Sequence, residues 1–326
     1  MKTEILKLLR EADGYVSGQE LCERLHVSRT AVWKVIKQLQ EEGYQIEAVR
    51  NRGYCLMKTA DVMTIAELES RIKGEWAGRN LVYYPETDST NERGKRLAEE
   101  GCPHGTLVVA DFQSAGKGRR GRSWTSPPGE AIYMSLILRP QILPAGAAMV
   151  TLAAAMAVAE GIRQVTRLPA MIKWPNDIVI KGKKICGILT EMSAEMECIH
   201  YVVVGIGINV NQEEFPEDIR DMATSLFLEK GEHVSRSVVA AAVMEAFEQY
   251  YACYEKTGDL SLLADEYNGM LVNRGQEVKV LAAKGDYTGI SQGIEEDGRL
   301  LVKTRDGKVR RITSGEVSVR GVYGYV

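Results

Sequence analysis

A glycine-rich segment at residues 113–124, Q-S-A-G-K-G-R-R-G-R-S-W, carries residue types suited to holding an anion. Its glycines match the G-x-G-x-x-G pattern of a dinucleotide-binding turn. That turn must open a helix, however, and the prolines of the following T-S-P-P-G do not allow one. Glycine lets a backbone approach a ligand closely, and arginine offers a planar fork to phosphate or carboxylate. No acid lies between Asp111 and Glu130 to neutralise the basic residues of the segment, which are Lys117, Arg119, Arg120 and Arg122.

This glycine–arginine loop (residues 113–124) is predicted to be mobile when empty and to become ordered around an anionic ligand. The alternative is a flexible surface loop whose charges are merely solvated. The clustering of four basic residues without an intervening acid favours the first interpretation.

Three further segments place polar residues where a ligand would need them. Residues 88–91, D-S-T-N, follow a predicted strand and open a predicted helix, although serine and threonine at that place also suit a helix cap. Residues 173–177, K-W-P-N-D, put a cation, an aromatic ring, a rigid bend and an acid at the end of a strand. Residues 184–191, K-I-C-G-I-L-T-E, begin a strand with a lysine, which at a turn is often only solvated.

The first 58 residues predict a helix–turn–helix followed by a hairpin. The predicted elements are a helix over 18–25, a turn at 26–28 and a helix over 29–42. The helix over 29–42, which is the third of the chain, has a basic, acid-free outer face that suits the major groove of DNA. The hairpin carries two arginines at its tip, where a wing would meet phosphates. A protein-binding module with a solvated basic face stays the alternative. The candidate DNA contacts are Gly18, Gln19, Arg29, Thr30, Trp33, Lys34, Lys37, Arg50 and Arg52.

The whole sequence predicts an α+β fold with three units. The winged helix–turn–helix comes first, and two other units follow it. The central unit has long helical patterns at 91–100, 145–166 and 238–256. Hairpins such as 177–189 favour a mixed or antiparallel sheet in that unit. The last unit has short strands separated by closely spaced turns, which is typical of a small SH3-like β-barrel. The predicted domains are residues 1–60, 61–270 and 271–326.

Composition restricts the class of protein. Hydrophobic residues make up 45% of the 326 residues and charged residues 26%, values that exclude a disordered or fibrous protein. The net charge is −3, so a local patch must meet any anionic partner. The six cysteines form no C-x-x-C pair and histidines number four, so no metal site is predicted, and the thiols are expected to be buried and reduced in a cytoplasmic protein. No signal peptide is predicted, because charged residues interrupt the apolar positions at the N-terminus. No membrane span is predicted, because the apolar run 142–159 contains a proline and a glycine and suits a buried helix.

Five motifs together resemble those of the biotin–protein ligases. They are, in order, D-S-T-N, Q-x-A-G-x-G-R-x-G-R-x-W, K-W-P-N-D, K-x-x-G-I-L-x-E and, at residues 205–209, G-I-G-I-N. The winged helix in front of them resembles the bifunctional form of that family, which also represses transcription. This resemblance covers nearly the whole chain. At one position the family usually has Arg where this chain has Lys117, which keeps the charge but loses the bidentate fork.

The resemblance implies a set of ligands and partners. They are biotin, ATP with Mg²⁺, biotinyl-5′-AMP as intermediate and corepressor, the biotin carboxyl carrier protein of acetyl-CoA carboxylase, the operator DNA of biotin genes, and a second copy of the chain when the adenylate is bound. A ligand-sensing repressor that has lost ligase activity stays the alternative.

The resemblance also implies roles for individual residues. Adenylation needs positive charge around a phosphate that gains negative charge, and Arg119 and Lys184, both in segments that look exposed, are assigned as the catalytic residues. Arg320 is expected to reach the nucleotide. The biotin site is expected to contain Ser89, Thr90, Asn91, Gln113, Gly116, Lys117, Gly118, Arg119 and Lys184. The adenylate site is expected to contain Lys117, Arg119, Arg122, Trp124, Lys173, Asp177 and Asn209.

Overall fold

A computed structural model of the chain describes residues 1–282, 285–313, 317–321 and 325–326, and of 317–320 only the backbone. Within these residues the helices and strands follow one another in three groups. The first group consists of three helices and a hairpin, as predicted. Its elements are α1 (Lys2–Glu11), α2 (Gly18–Leu25), α3 (Arg29–Glu41), β1 (Gln45–Val49) and β2 (Gly53–Lys58).

Local signals explain the elements of the first group. Ser17 and Ser28 cap α2 and α3, because each side chain accepts a hydrogen bond from a backbone N–H in the first turn of its helix. The hairpin turn between β1 and β2 uses Asn51 and Gly53, whose φ angles are 64° and 112°. The apolar faces of the three helices pack into one core with β1, so the helix–turn–helix and its hairpin are confirmed.

The second group is a seven-stranded sheet with helices on both faces. The strand order is β3-β4-β5-β9-β8-β7-β6; β3 and β4 are parallel and the other neighbours antiparallel, so the predicted mixed sheet is confirmed. The elements of this group are α4 (Ile65–Glu69), β3 (Asn80–Thr87), α5 (Thr90–Glu99), β4 (Thr106–Gln113), β5 (Ala131–Leu138), α6 (Ala147–Thr166), β6 (Met171–Lys173), β7 (Asp177–Ile180), β8 (Lys183–Ala194), β9 (Ile199–Asn209), α7 (Leu226–Lys230), α8 (Arg236–Thr257) and α9 (Ala264–Met270).

The core of the second group lies between this sheet and the packed pair α6 and α8. All eight residues of β5 are buried, since α5 covers the opposite face of the sheet. Helix α6 begins at Ala147, two residues later than predicted, because Pro144–Gly146 form a separate turn. Among the described helices it alone is long and apolar enough to cross a membrane, but 78% of its apolar segment is buried inside the protein, as predicted for a core helix.

The third group is an antiparallel sheet. Its strand order is β13-β12-β11-β10-β14, and closure into an SH3-like barrel stays a prediction. The sheet shares its core with the second group, and the indole Nε1 of Trp174 donates a hydrogen bond of 3.2 Å to the carbonyl of Gly298 between β11 and β12. The Arg320 side chain, expected to reach the nucleotide, lies outside the described residues. The strands are β10 (Glu277–Ala282), β11 (Tyr287–Ile294), β12 (Leu300–Thr304), β13 (Val309–Ile312) and β14 (Val317–Gly321).

The expectation that the cysteines are buried is wrong for most of them. All six are described and none forms a disulfide, but only Cys186 is buried. Cys198 is exposed because it lies in the turn between β8 and β9, and the other four are partly exposed.

Candidate functional site

A cavity opens over strands β8 and β9, between the start of α5 and the glycine–arginine loop. We call it the first cavity. Its walls combine neutral polar side chains with cations, which suits a ligand that has a polar group and an anionic end. The lining residues that the sequence predicted are Ser89, Thr90, Asn91, Gln113, Lys117, Gly118, Arg119, Trp124 and Lys184.

Glycines of β9 form part of the floor of the first cavity. A Cβ atom at Gly205 would lie 2.1 Å from Oδ1 of Asn91, and one at Gly207 would lie 2.8 Å from the ring of Trp124. Both distances are shorter than van der Waals contact, so only glycine lets these two side chains lie against the strand. Sequence reasoning used the G-I-G-I-N motif only to assign Asn209, because the need for glycine depends on residues from other elements.

Buried hydrogen bonds hold the polar wall of the first cavity. The Oε1 atom of Gln113 accepts from the backbone N–H of Thr90 at 2.8 Å and from its hydroxyl at 3.1 Å. The hydroxyl of Ser135 donates to Oδ1 of Asn91 at 2.6 Å, and Nδ2 of Asn91 donates to Glu191 at 2.8 Å. Because Gln113, Thr90, Asn91 and Ser135 are all buried, this wall is organised before a ligand binds. Ser135 and Glu191 were missed by the sequence assignment.

Ser89 is at the N-cap position of α5, yet its side chain makes no capping hydrogen bond. It is only 3% exposed, and its backbone N–H donates to Oδ1 of Asp88 at 2.8 Å. A capping role therefore does not account for Ser89, and its place in the wall of the first cavity supports a ligand-binding role.

Lys184 and Arg119 are themselves partly buried, although most of the loop around Arg119 is exposed, as predicted. The loop folds back onto the sheet, where Nη1 of Arg119 donates to Oδ1 of Asn176 at 2.7 Å, and burial lowers the pKa of this arginine. Nζ of Lys184 lies 2.7 Å from Oδ1 of Asp177 and 5.3 Å from the ring centre of Trp124. Burial alone would raise the pKa of Asp177, but the Lys184 ammonium and other donors outweigh it and hold that pKa below its usual range.

Lys117 is half exposed and pairs with α5. Its Nζ atom lies 2.5 Å from Oε1 of Glu92. Hydrogen bonds from Lys117 and Lys95 lower the pKa of Glu92, so the carboxylate is charged at neutral pH. Lys117 thus links the loop to α5 by an ion pair.

A second cavity adjoins the first and shares Trp124 and Lys184 with it. The buried Nε1 of Trp124 and Oε1 of Gln212 have no hydrogen-bond partner among the described atoms, which leaves one donor and one acceptor for a ligand. The Asn209 amide is held by the carbonyl of Thr224 at 3.0 Å. Other residues that line this cavity are Gly121, Arg122, Ser123, Thr125, Pro127, Glu214, Phe215, Pro216, Asp218, Ile219, Met222, Ala223 and Tyr325.

Three predicted site residues lie behind the cavities. Gly116 packs beneath the loop, where a Cβ atom would lie 2.5 Å from the carbonyl oxygen of Trp124. Lys173 is 5% exposed, with its Nζ atom 3.3 Å from the ring centre of Tyr325. Asp177 faces Lys184, as described above. Their positions suit the support of lining residues better than direct contact with a ligand.

The outer face of α3 is exposed, as predicted. Half of the Trp33 surface is accessible, and Nζ of Lys37 lies 5.9 Å from the ring centre of this tryptophan. Arg29 donates to Oε1 of Gln19 at 2.9 Å and so joins α3 to α2. A groove runs from the starts of these helices to the hairpin, and it is lined by Gly18, Gln19, Arg29, Arg50 and Arg52. The exposed face of α3 adds Thr30, Trp33, Lys34 and Lys37.

Models of known families match three parts of the chain. The biotin/lipoate A/B protein ligase family matches residues 83–209, a helix–turn–helix (HTH) domain matches residues 2–55, and the biotin protein ligase C terminal domain matches residues 275–320. The first two segments contain most of the first cavity and of the groove at the hairpin, whereas residues 212–223 and Tyr325 of the second cavity lie outside the matched segments.

The similarity to known proteins extends over nearly the whole chain. The bifunctional ligase/repressor BirA of Bacillus subtilis is 40% identical and covers 98% of each chain, and that of Escherichia coli is 30% identical, covering 97% of this chain and 96% of its own. The solved biotin protein ligase from Aquifex aeolicus in complex with biotin and ATP has a TM-score of 0.67 and 34% identity, and covers 74% of this chain and 99% of that one. The chain therefore belongs to the family of bifunctional biotin–protein ligases and repressors.

Proposed function

We propose that this chain activates biotin with ATP to biotinyl-5′-AMP and transfers biotin to a lysine of the biotin carboxyl carrier protein of acetyl-CoA carboxylase. The observation that carries the proposal is that the two cavities meet at Lys184 and Trp124, with Arg119 beside them in the first. A reaction between two bound molecules needs their reacting groups held together. Adjoining cavities with cations at the boundary meet this need.

Biotin is assigned to the first cavity. Its ureido ring is neutral and needs paired donors and acceptors, which the buried wall of Thr90, Asn91 and Gln113 offers together with Ser89. Gly118 lines the same cavity, and Gly116 supports the loop from beneath. The carboxylate end of biotin then faces Arg119, Lys184 and the more exposed Lys117.

The nucleotide is assigned to the second cavity. The ring of Trp124 offers a face on which adenine can stack, and the unpartnered Oε1 of Gln212 suits an exocyclic amino group. Arg122 and Asn209 line the same cavity. Lys173 and Asp177 support it from behind, as do the contacts of Tyr325.

The chemistry is a displacement at the α-phosphate. A carboxylate oxygen of biotin attacks the phosphorus, and pyrophosphate leaves with the electrons of the broken P–O bond. Arg119 and Lys184 stabilise the negative charge that grows on the phosphoryl oxygens. In the second step the neutral amine of the carrier lysine attacks the carbonyl carbon of the mixed anhydride, and AMP leaves. Neither step needs a nucleophile from this chain.

Mg²⁺ is assigned to the phosphates of ATP. The part of the chain that the structure describes contains no group of three or more His, Cys, Asp or Glu side chains that could hold a metal. Asp177 already pairs with Lys184. The phosphate oxygens are therefore the main ligands, and the cation neutralises charge on the pyrophosphate that leaves.

The same chain is proposed to repress biotin genes from the cytoplasm. Residues 1–60 would bind operator DNA through the groove and the outer face of α3, while residues 61–270 and 271–326 carry the ligase site. A single winged helix makes few phosphate contacts, so a homodimer formed with the adenylate would be needed for tight binding.

Exchange of labelled pyrophosphate into ATP tests the ligase site. Lys184→Ala and Arg119→Ala are each expected to lower the biotin-dependent exchange rate by about tenfold to over a hundredfold, because each removes a charge-assisted contact to the transition state. Lys183→Ala is the matched control, since this neighbouring lysine is exposed and lines neither cavity. Full exchange by both site variants would refute the assignment. Absent exchange in the wild-type chain, with tight binding of added biotinyl-5′-AMP, would favour a repressor without ligase activity.

A further inference from the structure

Tyr325 reaches from beyond β14 back to the central sheet. Its hydroxyl donates a hydrogen bond to Oδ2 of Asp177, and its ring lies under the ammonium group of Lys173, whose Nζ atom is 3.3 Å from the ring centre. The same tyrosine lines the second cavity beside Trp124 and Lys184. One side chain therefore touches an acid and a cation of the K-W-P-N-D segment and also faces the nucleotide cavity.

The two contacts of Asp177 determine how its carboxylate lies. Oδ1 pairs with Lys184 at 2.7 Å, and Oδ2 accepts the hydroxyl of Tyr325. Because the two oxygens have different partners, the plane of the carboxylate cannot turn without breaking one contact. The hydroxyl of Tyr325 thereby helps to keep Oδ1 directed at Lys184.

The ring contact has a separate consequence for Lys173. This lysine is 5% exposed, and its charge contributes to the low pKa of Asp177, so it acts on the same carboxylate as Lys184. An aromatic face binds a desolvated cation favourably. The ring thus holds Lys173 in place and limits its competition with Lys184 for Asp177.

We propose that Tyr325 is a positioning residue of the nucleotide site, which orients Asp177 and, through it, Lys184, while its ring holds Lys173. The inference rests on the assignment of ATP to the second cavity. Residue 325 lies outside the matched C-terminal family segment, residues 275–320, and the last of the five motifs ends at residue 209, so neither assigns a role to it.

Steady-state pyrophosphate exchange with the full chain tests this role. Tyr325→Ala is expected to raise KM for ATP about tenfold, since it removes a hydrogen bond to a charged group and a cation–π contact, and to raise KM for biotin less, because the first cavity contains Lys184 but neither Tyr325 nor Lys173. Tyr325→Phe keeps the ring and loses only the hydroxyl, so its KM for ATP is expected to lie between those of the wild type and Tyr325→Ala. Val326→Ala is the matched control, because Val326 packs against Gly182 and lines neither cavity.

The outcomes separate this inference from the ligase assignment. An unchanged KM for ATP in Tyr325→Ala, or an equal rise of both KM values, would overturn the positioning role. If Tyr325→Ala does not fold, the Tyr325→Phe variant decides: a rise of KM for ATP that exceeds any rise of KM for biotin supports the role, and wild-type values overturn it. A further outcome is loss of exchange in Lys184→Ala together with wild-type kinetics in both Tyr325 variants. This result would support the assigned ligase site and would exclude only the role of Tyr325 in it.

Discussion

At the scale of single residues, Gly205 links the sheet to the proposed biotin site. In Gly205→Ala the new methyl group would have to displace Asn91 from Ser135 and Glu191, because its Cβ atom would lie 2.1 Å from Oδ1 of Asn91. We expect the Kd for biotin to rise about tenfold or more, as measured by isothermal titration calorimetry. Gly269→Ala is the control, since its Cβ atom would meet no atom within 4 Å. Equal biotin affinity in both variants would contradict this role of Gly205.

Glu67 of α4 is another residue whose environment makes a definite prediction. Its fully buried carboxylate pairs with Arg10 of α1 and with Arg71, and it accepts hydrogen bonds from Tyr44 and, at 2.8 Å, from Ser237 of α8. It therefore joins the DNA-binding helices to the central group. Glu67→Gln leaves two arginines without their charged partner, so we expect a loss of about 3 kcal/mol in the free energy of unfolding, measured with urea.

The same carboxylate predicts a pH dependence. Burial alone would raise the pKa of Glu67, but Arg71 and Arg10 outweigh it, so the folded-state pKa is lowered. A lowered pKa adds stability that is fully present above the unfolded value of about 4.3 and is lost as the pH falls through the folded-state value. Urea titrations that start at about pH 6, above the unfolded value, and go down to about pH 3 are expected to show a steeper loss of unfolding free energy for the wild type than for Glu67→Gln. Glu69→Gln, on the same helix, is the control; parallel curves for all three proteins would refute the prediction.

At the scale of elements, the loop and its flanking residues 114–126 are expected to change order on ligand binding. Lys117, Arg120 and Arg122 are exposed sites for trypsin, and the loop carries clustered like charge. Biotin and ATP together are expected to slow cleavage in this segment at least severalfold, because the anionic groups of the ligands add contacts to the loop cations that line the cavities. The measurement is limited proteolysis with mass analysis of the fragments. Cleavage at the remaining exposed sites provides the internal control, and unchanged cleavage within 114–126 would count against ordering.

At the scale of the whole molecule, ligase chemistry and DNA binding are expected to be coupled. If biotinyl-5′-AMP favours the dimer and the dimer favours the operator, linkage requires that adenylate raise the dimer fraction and the operator affinity together. Sedimentation and DNA mobility-shift experiments, each with and without biotin and ATP, measure the two quantities. Removal of residues 1–58 is expected to abolish operator binding and to keep most of the exchange activity. Operator binding that is equally tight without adenylate would show that the coupling is absent.

Much of the secondary structure could be predicted from the sequence, because the signals for it act over a few residues. Helix α2 has the predicted bounds Gly18–Leu25, because a serine cap and the apolar spacing of a helix are both local. The glycine–arginine loop was predicted not to open a long helix for the same kind of reason, and the prolines after it act on their immediate neighbours. The five motifs also named most of the polar residues that line the first cavity.

The sequence by itself therefore determined the longer helices and most strands, the class of protein and the residue types at the site, but not the short helices α4, α7 and α9. Only the tertiary structure decided which of those residues touch. Asn91 and Glu191 are 100 positions apart, and Tyr325 and Asp177 are 148 apart, yet each pair is hydrogen-bonded. Burial and hydrogen bonding depend on groups that come together from distant elements. The residue types and local spacing of one element do not indicate which other element will pack against it. For that reason Ser135, Glu191 and Tyr325 became visible only once the sheet had placed them beside the predicted residues.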